Sequence, residues 1–218
     1  MDERTTAELI EKLGDDVARC HAGLIEAIDE GGIDRDGGVS ADYEYHARQL
    51  IRSILAYIEG VTFSVKIKCV DHCLRAGIEV SDNERYLAVE VDPELNEKGE
   101  VVERSSKLRL MSNIRFAFRL FEKASKHASR FDPGSEWWSC LHETVRVRDR
   151  LTHPKMPADI EVSGEEIVKA LKARSGFEQA LMGDGFEWRV GPPKPGKIKV
   201  EASRSHSQSL LRRRRRRN

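Results

Sequence analysis

The sequence predicts an all-α fold, an up-and-down bundle of about five helices with a small insertion that resembles a β-hairpin. Two observations carry this prediction. Apolar residues recur at helical spacing over several long segments, and capping residues, glycines or prolines mark where those segments start and stop. A single segment near residues 80–105 interrupts the helical pattern.

The first two helices are predicted from their caps and their apolar stripes. A capping box at residues 5–8 (Thr-Thr-Ala-Glu) predicts the start of the first helix, and Gly31 and Gly32 predict its end. The second helix is predicted from about residue 42 to about residue 76, with Gly60 as a candidate break. A helix of that length should span the whole domain.

The interrupting segment contains two short runs with strand character. Residues 86–91 are predicted as a strand and residues 100–103 as its partner, joined by the turn Asn96-Glu97-Lys98-Gly99. A third helix is predicted from about residue 107 to about residue 129.

The last two helices are predicted from proline and serine signals. Asp132 and Pro133 predict a cap and a first-turn proline for a fourth helix, which should run to about Thr152 and stop before Pro154. A capping box at residues 163–166 (Ser-Gly-Glu-Glu) predicts a fifth helix that ends at about residue 182.

The chain is predicted to consist of a helical domain, residues 1–183, and a tail, residues 184–218. The tail begins with a linker rich in proline and glycine and continues into a disordered segment rich in serine and arginine. The formal net charge of zero hides an asymmetry. Residues 189–218 hold eleven lysines or arginines and one acid, so residues 1–188 carry a net charge of −10.

Several classes of protein are not expected. No apolar run approaches the roughly 18 residues of a transmembrane helix, and the polar, acidic first ten residues do not resemble a secretory signal. Four irregularly spaced cysteines do not form a disulfide framework, so a reducing cytoplasmic setting is expected. The sequence has no phosphate loop, dinucleotide fingerprint, serine elbow or His-Glu-x-x-His, and we predict neither a cofactor nor a metal.

The end of the fourth predicted helix concentrates chemically active side chains. Asp149 follows Arg148, and four residues separate Arg148 from His153, which precedes Pro154. This pattern resembles the HEPN superfamily of small all-α domains, whose signature is an arginine, a neighbouring polar residue and a histidine. The order of the helices is similar over roughly residues 40–182.

The resemblance implies a metal-independent endoribonuclease of a toxin–antitoxin or other defence system, which cleaves RNA through the 2′-OH to a 2′,3′-cyclic phosphate. It also implies a homodimer through the third and fourth predicted helices, with an antitoxin or another protein as a further partner. Other HEPN proteins have lost activity. A non-catalytic module that binds RNA or protein is therefore the alternative. The net negative charge of residues 1–188 favours it, because a surface that cleaves RNA is usually basic.

Each motif residue suits one part of this chemistry. Histidine titrates in the range that a base for the 2′-OH needs, so His153 is the predicted base. Arg148 would stabilise the charge of the phosphorane, and Asp149 would orient the histidine. The residues predicted to contact the RNA backbone are Arg146, Arg150, Lys155, Arg212, Arg213, Arg214, Arg215, Arg216 and Arg217. A solvated tail without a role is the alternative for the six terminal arginines.

Helix geometry leaves a functional and a structural interpretation of the motif open. Arg148 and His153 lie about 140° apart around an ideal helix, so they would not converge in a straight one. Either His153 leaves the helix because it precedes proline, or a second copy completes the pocket. The structural alternative is an ion pair, because Arg148 shares a stripe with apolar residues and could pair with Glu59 or Asp149.

Two further clusters could carry chemistry, but a packing role is the alternative for each. Cys69, His72 and Cys73 lie within about one helical turn, but their spacing is not that of a zinc finger and favours core cysteines. Trp137 and Trp138 could stack on bases, but adjacent tryptophans are more often anchors of a core or a dimer interface.

Overall fold

The computed structural model describes residues 3–32 and 38–182, which lie in the first of the two units into which the chain divides, Met1–Phe186. This part is mostly helical, as predicted, with six α-helices and one two-stranded antiparallel sheet. The elements are α1 (Glu3–Asp29), α2 (Ala41–Arg75), α3 (Asp82–Val89), β1 (Val91–Leu95), β2 (Val101–Ser105), α4 (Leu110–Ser125), α5 (Glu136–Thr152), a 3₁₀ turn (Pro157–Ile160) and α6 (Gly164–Met182). The predicted linker and basic tail lie outside the described residues.

Helix α2 is the central element, because each of the other five helices of the described part packs against it or against a helix that does. Its apolar stripe, including Leu50, Ile54 and Ile58, is fully buried. The candidate break at Gly60 is wrong, since α2 continues through it. A Cβ at Gly60 would meet the terminal methyl of Leu13 of α1, so the absence of a side chain lets Leu13 pack closely against α2.

Helix α1 begins at Glu3, two residues before the predicted capping box. Thr5 and Thr6 therefore lie inside the helix, and Thr6 is buried. The helix ends where predicted, before Gly31, whose φ of +83° is a left-handed conformation suited to glycine.

The predicted hairpin is present, but its first strand is displaced. Strand β1 pairs with β2 in a register that places Val91 opposite Ser105 and Leu95 opposite Val101. Residues 86–89, predicted as strand, belong to α3, which begins with a capping box formed by Ser81 and Glu84. A short apolar run does not distinguish a strand from a buried helix, and the cap decides in favour of the helix.

Glu90 fixes the hairpin to the bundle. It adopts a left-handed conformation, φ +57°, and its carbonyl accepts a hydrogen bond from the Ser106 amide at 2.8 Å. Its carboxylate Oε1 accepts from Lys66 Nζ of α2 at 2.7 Å and from Asn113 Nδ2 of α4 at 2.8 Å. Lys66 is fully buried and also donates to the Leu87 carbonyl at 3.2 Å. Burial lowers the pKa of Lys66, and Glu90 counters that effect.

Two predicted helix boundaries need correction. The helix predicted over residues 107–129 is shorter at both ends and stops before Lys126, which has a φ of +59°. Asp132 and Pro133 do not start α5. They form a turn in which the Asp132 carboxylate accepts from the Gly134 amide at 2.8 Å, and α5 begins after Ser135.

The capping box that predicts α6 is confirmed. The Ser163 amide donates to the Glu166 carboxylate at 2.9 Å, and the Glu166 amide donates to the Ser163 hydroxyl at 3.2 Å. Among the helices of residues 3–32 and 38–182, none is both long enough and apolar enough to cross a membrane.

Candidate functional site

The last turn of α5 and the residue after it carry the three predicted catalytic residues. The helix ends at Thr152, as predicted from Pro154, and His153 leaves the helical region with φ −127° and ψ +55°. The His153 amide still donates to the Asp149 carbonyl at 3.1 Å. Asp149 and His153 are exposed and Arg148 is partly exposed, so all three are accessible to a ligand.

Arg148 is held by two carboxylates. Its Nη1 donates to Oε1 of Glu59 on α2 at 2.7 Å, and its Nε donates to Oδ1 of Asp149 at 3.1 Å. The ion pair of the structural alternative is therefore present with both of its candidate partners. The side chains of Arg148 and Glu59 are 29% and 46% exposed, so solvent screens this pair and it adds little stability, about 0–1 kcal/mol.

Asp149 contacts the arginine rather than the histidine. Within the described part of the chain its carboxylate hydrogen-bonds to Arg148, and no hydrogen bond joins it to the His153 ring. The predicted role of Asp149 in orienting His153 remains a prediction. The role that its contact supports directly is to orient the guanidinium of Arg148 together with Glu59.

One arginine near this site is not among the residues predicted from the sequence. Arg52 of α2 donates from Nη2 to the carbonyl of Leu151 at 3.1 Å, so its guanidinium lies beside the C-terminal end of α5, two residues before His153. Arg52 and Glu59 are seven residues apart and share one face of α2. The seven-residue spacing of Arg52 and Glu59 is visible in the sequence, but the sequence does not show that α5 packs against this face of α2.

Two of the predicted RNA-contacting residues near the motif are involved in local structure. Arg150 donates from Nη1 to the carbonyls of Ala158 and Glu161, at 3.0 and 2.8 Å, and from Nη2 to Glu166 at 2.8 Å. It therefore ties the 3₁₀ turn to α6. The amide of Lys155 donates to Asp159 at 2.7 Å, while its side chain is exposed.

Of the other predicted RNA contacts, Arg146 lies within the described residues. Arg146 is exposed on α5. Arg212, Arg213, Arg214, Arg215, Arg216 and Arg217 lie outside the described residues.

The cysteine cluster of α2 belongs to the core. Cys69 and Cys73 are fully buried, and burial raises the pKa of the Cys69 thiol to about 12. Across residues 3–32 and 38–182, no group of three or more His, Cys, Asp or Glu side chains is arranged to hold a metal ion.

The tryptophan pair also belongs to the core. Trp138 is buried and Trp137 is half-buried, and both make edge contacts with Phe131. Phe131 in turn stacks on Phe118 with ring centroids 4.8 Å apart. Packing within the described part of the chain therefore accounts for both tryptophans.

Comparison with protein-family models, with curated proteins and with solved structures finds no match to this chain. The function must therefore be inferred from the chemistry of the α5 end.

Proposed function

We propose that the chain is a metal-independent endoribonuclease of HEPN type that works in a cytoplasmic defence or toxin–antitoxin system. The observation that carries the proposal is the joint exposure of Arg148, Asp149 and His153 at one helix end, with the guanidinium of Arg148 oriented by Glu59. Cleavage without a metal requires a base and a fixed cation at the same phosphate, and these residue types supply both.

In the proposed reaction His153 takes the proton of a ribose 2′-OH. The bond from the 2′-oxygen to phosphorus forms, the bond from phosphorus to the 5′-oxygen breaks, and the 5′-oxygen takes a proton from solvent. The product carries a 2′,3′-cyclic phosphate. Arg148 stabilises the charge on the phosphorane oxygens.

The contacts of Arg148 are compatible with phosphate binding. Among the described residues its Nη2 has no hydrogen-bond partner, so these donors remain for a ligand. The Glu59 pair is solvent-exposed and weak, so a phosphate can replace Glu59 at a cost of about 1 kcal/mol or less.

The first test is RNA cleavage in EDTA by the full chain. We expect wild type to cleave and to leave 2′,3′-cyclic phosphate ends, and we expect His153→Ala and Arg148→Ala to lose activity about 10²-fold or more. His72→Ala, which removes an exposed histidine of α2, is the matched control and should keep wild-type activity. Wild-type cleavage by both motif variants would refute the assignment.

The proposal includes a homodimer through α4 and α5, in which two copies of the motif meet. Mixing the inactive variants Arg148→Ala and His153→Ala tests whether each pocket takes its arginine from one chain and its histidine from the other. Mixed dimers would then hold one complete pocket, and activity should recover to about a quarter of wild type. No recovery in a preparation with demonstrated mixed dimers would show that each pocket is built from one chain.

A second candidate is a non-catalytic module that binds RNA or a partner protein such as an antitoxin. The observation that favours it is the neutralisation of Arg148 by two carboxylates on a body with a net charge of −10. It predicts that the full chain retains RNA, or co-purifies with one protein partner, without cutting RNA in EDTA or in Mg²⁺.

A further inference from the structure

Four arginines of α2 and α5 lie near the C-terminal end of α5, and three of them have a carboxylate partner. The pairs are Arg48 with Glu44, Arg148 with Glu59 and Asp149, and Arg150 with Glu166. Arg52 differs from these three. In the described part of the chain its hydrogen bond goes to a neutral backbone carbonyl, that of Leu151, and no carboxylate pairs with it.

Arg52 differs from the other arginines in its position as well as in its lack of a carboxylate partner. The bond to the Leu151 carbonyl holds the guanidinium at the α5 terminus, next to the chain segment that carries His153. That carbonyl is one of the last in α5 and is left without an intrahelical partner, so it is a strong acceptor. Arg52 is exposed. Its bond to Leu151 uses Nη2, so among the described residues its Nη1 and Nε donors remain for another acceptor.

Ala56 separates Arg52 from the Glu59–Arg148 pair. Residues 52, 56 and 59 share one face of α2, and the rise between Arg52 and Glu59 is about 10 Å. Ala56 has no long side chain that could stand between the two guanidinium groups. Successive phosphates of an RNA strand are spaced by several ångströms, so one strand can contact both groups.

We propose that Arg52 binds a backbone phosphate of RNA adjacent to the one at Arg148 and His153. This inference rests on the proposed function, because RNA is the ligand in both. Arg52 acts in binding rather than in chemistry: its phosphate contact is the same before and during the reaction, so it lowers KM and leaves kcat unchanged.

The test uses the full chain and a short 2′-O-methyl uridine oligonucleotide, which binds as RNA but has no 2′-OH to react. Arg52→Gln keeps a donor for the Leu151 carbonyl and removes the charge. Arg48→Gln is the matched control, since Arg48 lies one turn away on the same helix and already has Glu44 as partner. The tail is identical in every variant, so its binding cancels in the comparison.

Affinity is measured as a function of salt. With Arg52→Gln we expect several-fold weaker binding and a slope of log K against log [salt] that is smaller by about 0.7, the value for one phosphate contact on a single strand. Arg48→Gln should match wild type. With cleavable RNA, Arg52→Gln should raise KM and preserve kcat.

The outcomes separate this inference from the proposed function. Wild-type affinity and slope in Arg52→Gln, or an equal loss in Arg48→Gln, would overturn the role of Arg52 while leaving the cleavage result of the motif variants intact. If wild type does not bind the oligonucleotide at all, the inference and RNA as the ligand both fail.

Discussion

Two ion pairs on α2 have the same length and opposite surroundings. Glu59 pairs with Arg148 at 2.7 Å, and seven residues later Lys66 pairs with Glu90 at 2.7 Å. The Arg148 and Glu59 side chains are 29% and 46% exposed, whereas Lys66 is fully buried. Distance alone therefore does not identify a functional pair. Solvent weakens the exposed pair, so a ligand could displace one partner, whereas burial makes the other pair part of the architecture.

The most destructive change at the buried pair should be Glu90→Ala. It leaves the charge of Lys66 without a counter-charge in the core and also removes the acceptor of Asn113. We expect a loss of about 2–4 kcal/mol in the free energy of unfolding, measured by urea denaturation. The matched change at the exposed pair is Glu59→Ala, and an equal loss there would show that burial does not distinguish the two pairs.

Labelling of the thiols next to the buried pair should report whether that end of the molecule has opened. Cys69 and Cys73 are fully buried, and burial raises the pKa of both thiols, so a thiol reagent at pH 8 should react first with Cys20, the one cysteine that is not buried. Glu90→Ala should speed labelling of Cys69 about tenfold or more, because opening becomes less costly. A Cys20→Ser background removes the fast thiol, and peptide mapping separates Cys69 from Cys73 and Cys140. An unchanged Cys69 rate would argue that Glu90 does not hold this end closed.

Replacement of the buried lysine should have a smaller effect that depends on pH. Lys66→Met keeps the volume, and Glu90 remains partly hydrated and bonded to Asn113, so we expect a change of about 1 kcal/mol or less at pH 7.

The sign of the pH effect follows from the lowered pKa of Lys66. Between that value and the ordinary 10.5, the unfolded chain binds more protons than the folded one, so the contribution of Lys66 to stability rises with pH in this window. The unfolding free energy of wild type minus that of Lys66→Met should therefore increase towards pH 10.5. A difference that is flat with pH would mean that Lys66 is not desolvated.

The smallest effect on stability is expected for Glu59→Gln. The exposed pair contributes little, so the unfolding free energy should change by less than about 1 kcal/mol. Under the proposed function RNA cleavage should nevertheless change, because Glu59 orients Arg148 and would compete with phosphate for it. Unaltered cleavage kinetics would limit Glu59 to a surface contact without influence on the site.

Local signals predicted most of the helices, and the errors come from ambiguous local signals as well as from tertiary contacts. Pro154 and the Ser163 cap fixed two boundaries correctly, because both act within a few residues of chain. The helix over residues 82–89 was missed although Ser81 and Glu84 form the same kind of cap, since the apolar run after it also suited a strand. Gly60 was misread because its partner, Leu13, is distant in sequence.

The candidate site was predictable in part for the same reason. Arg148, Asp149 and His153 lie within six residues, so a local motif brings them to notice. Arg52 lies about a hundred residues away from Leu151, and only the packing of α5 on α2 gives it a place. The pairing of Arg148 with Glu59 was one of two alternatives from the sequence, and the structure contains both.

Because α2 is unbroken from Ala41 to Arg75, it sets the rotational phase of everything attached to it. Arg52, Glu59 and Lys66 follow one another at intervals of seven residues, and each interval turns the helix by about two full turns. A single residue inserted between Glu59 and Lys66 would rotate one against the other by about 100°. The spacing along this one helix therefore fixes the orientation of the exposed residues Arg52 and Glu59 relative to the buried Lys66. Neither group can be rotated without displacing the other.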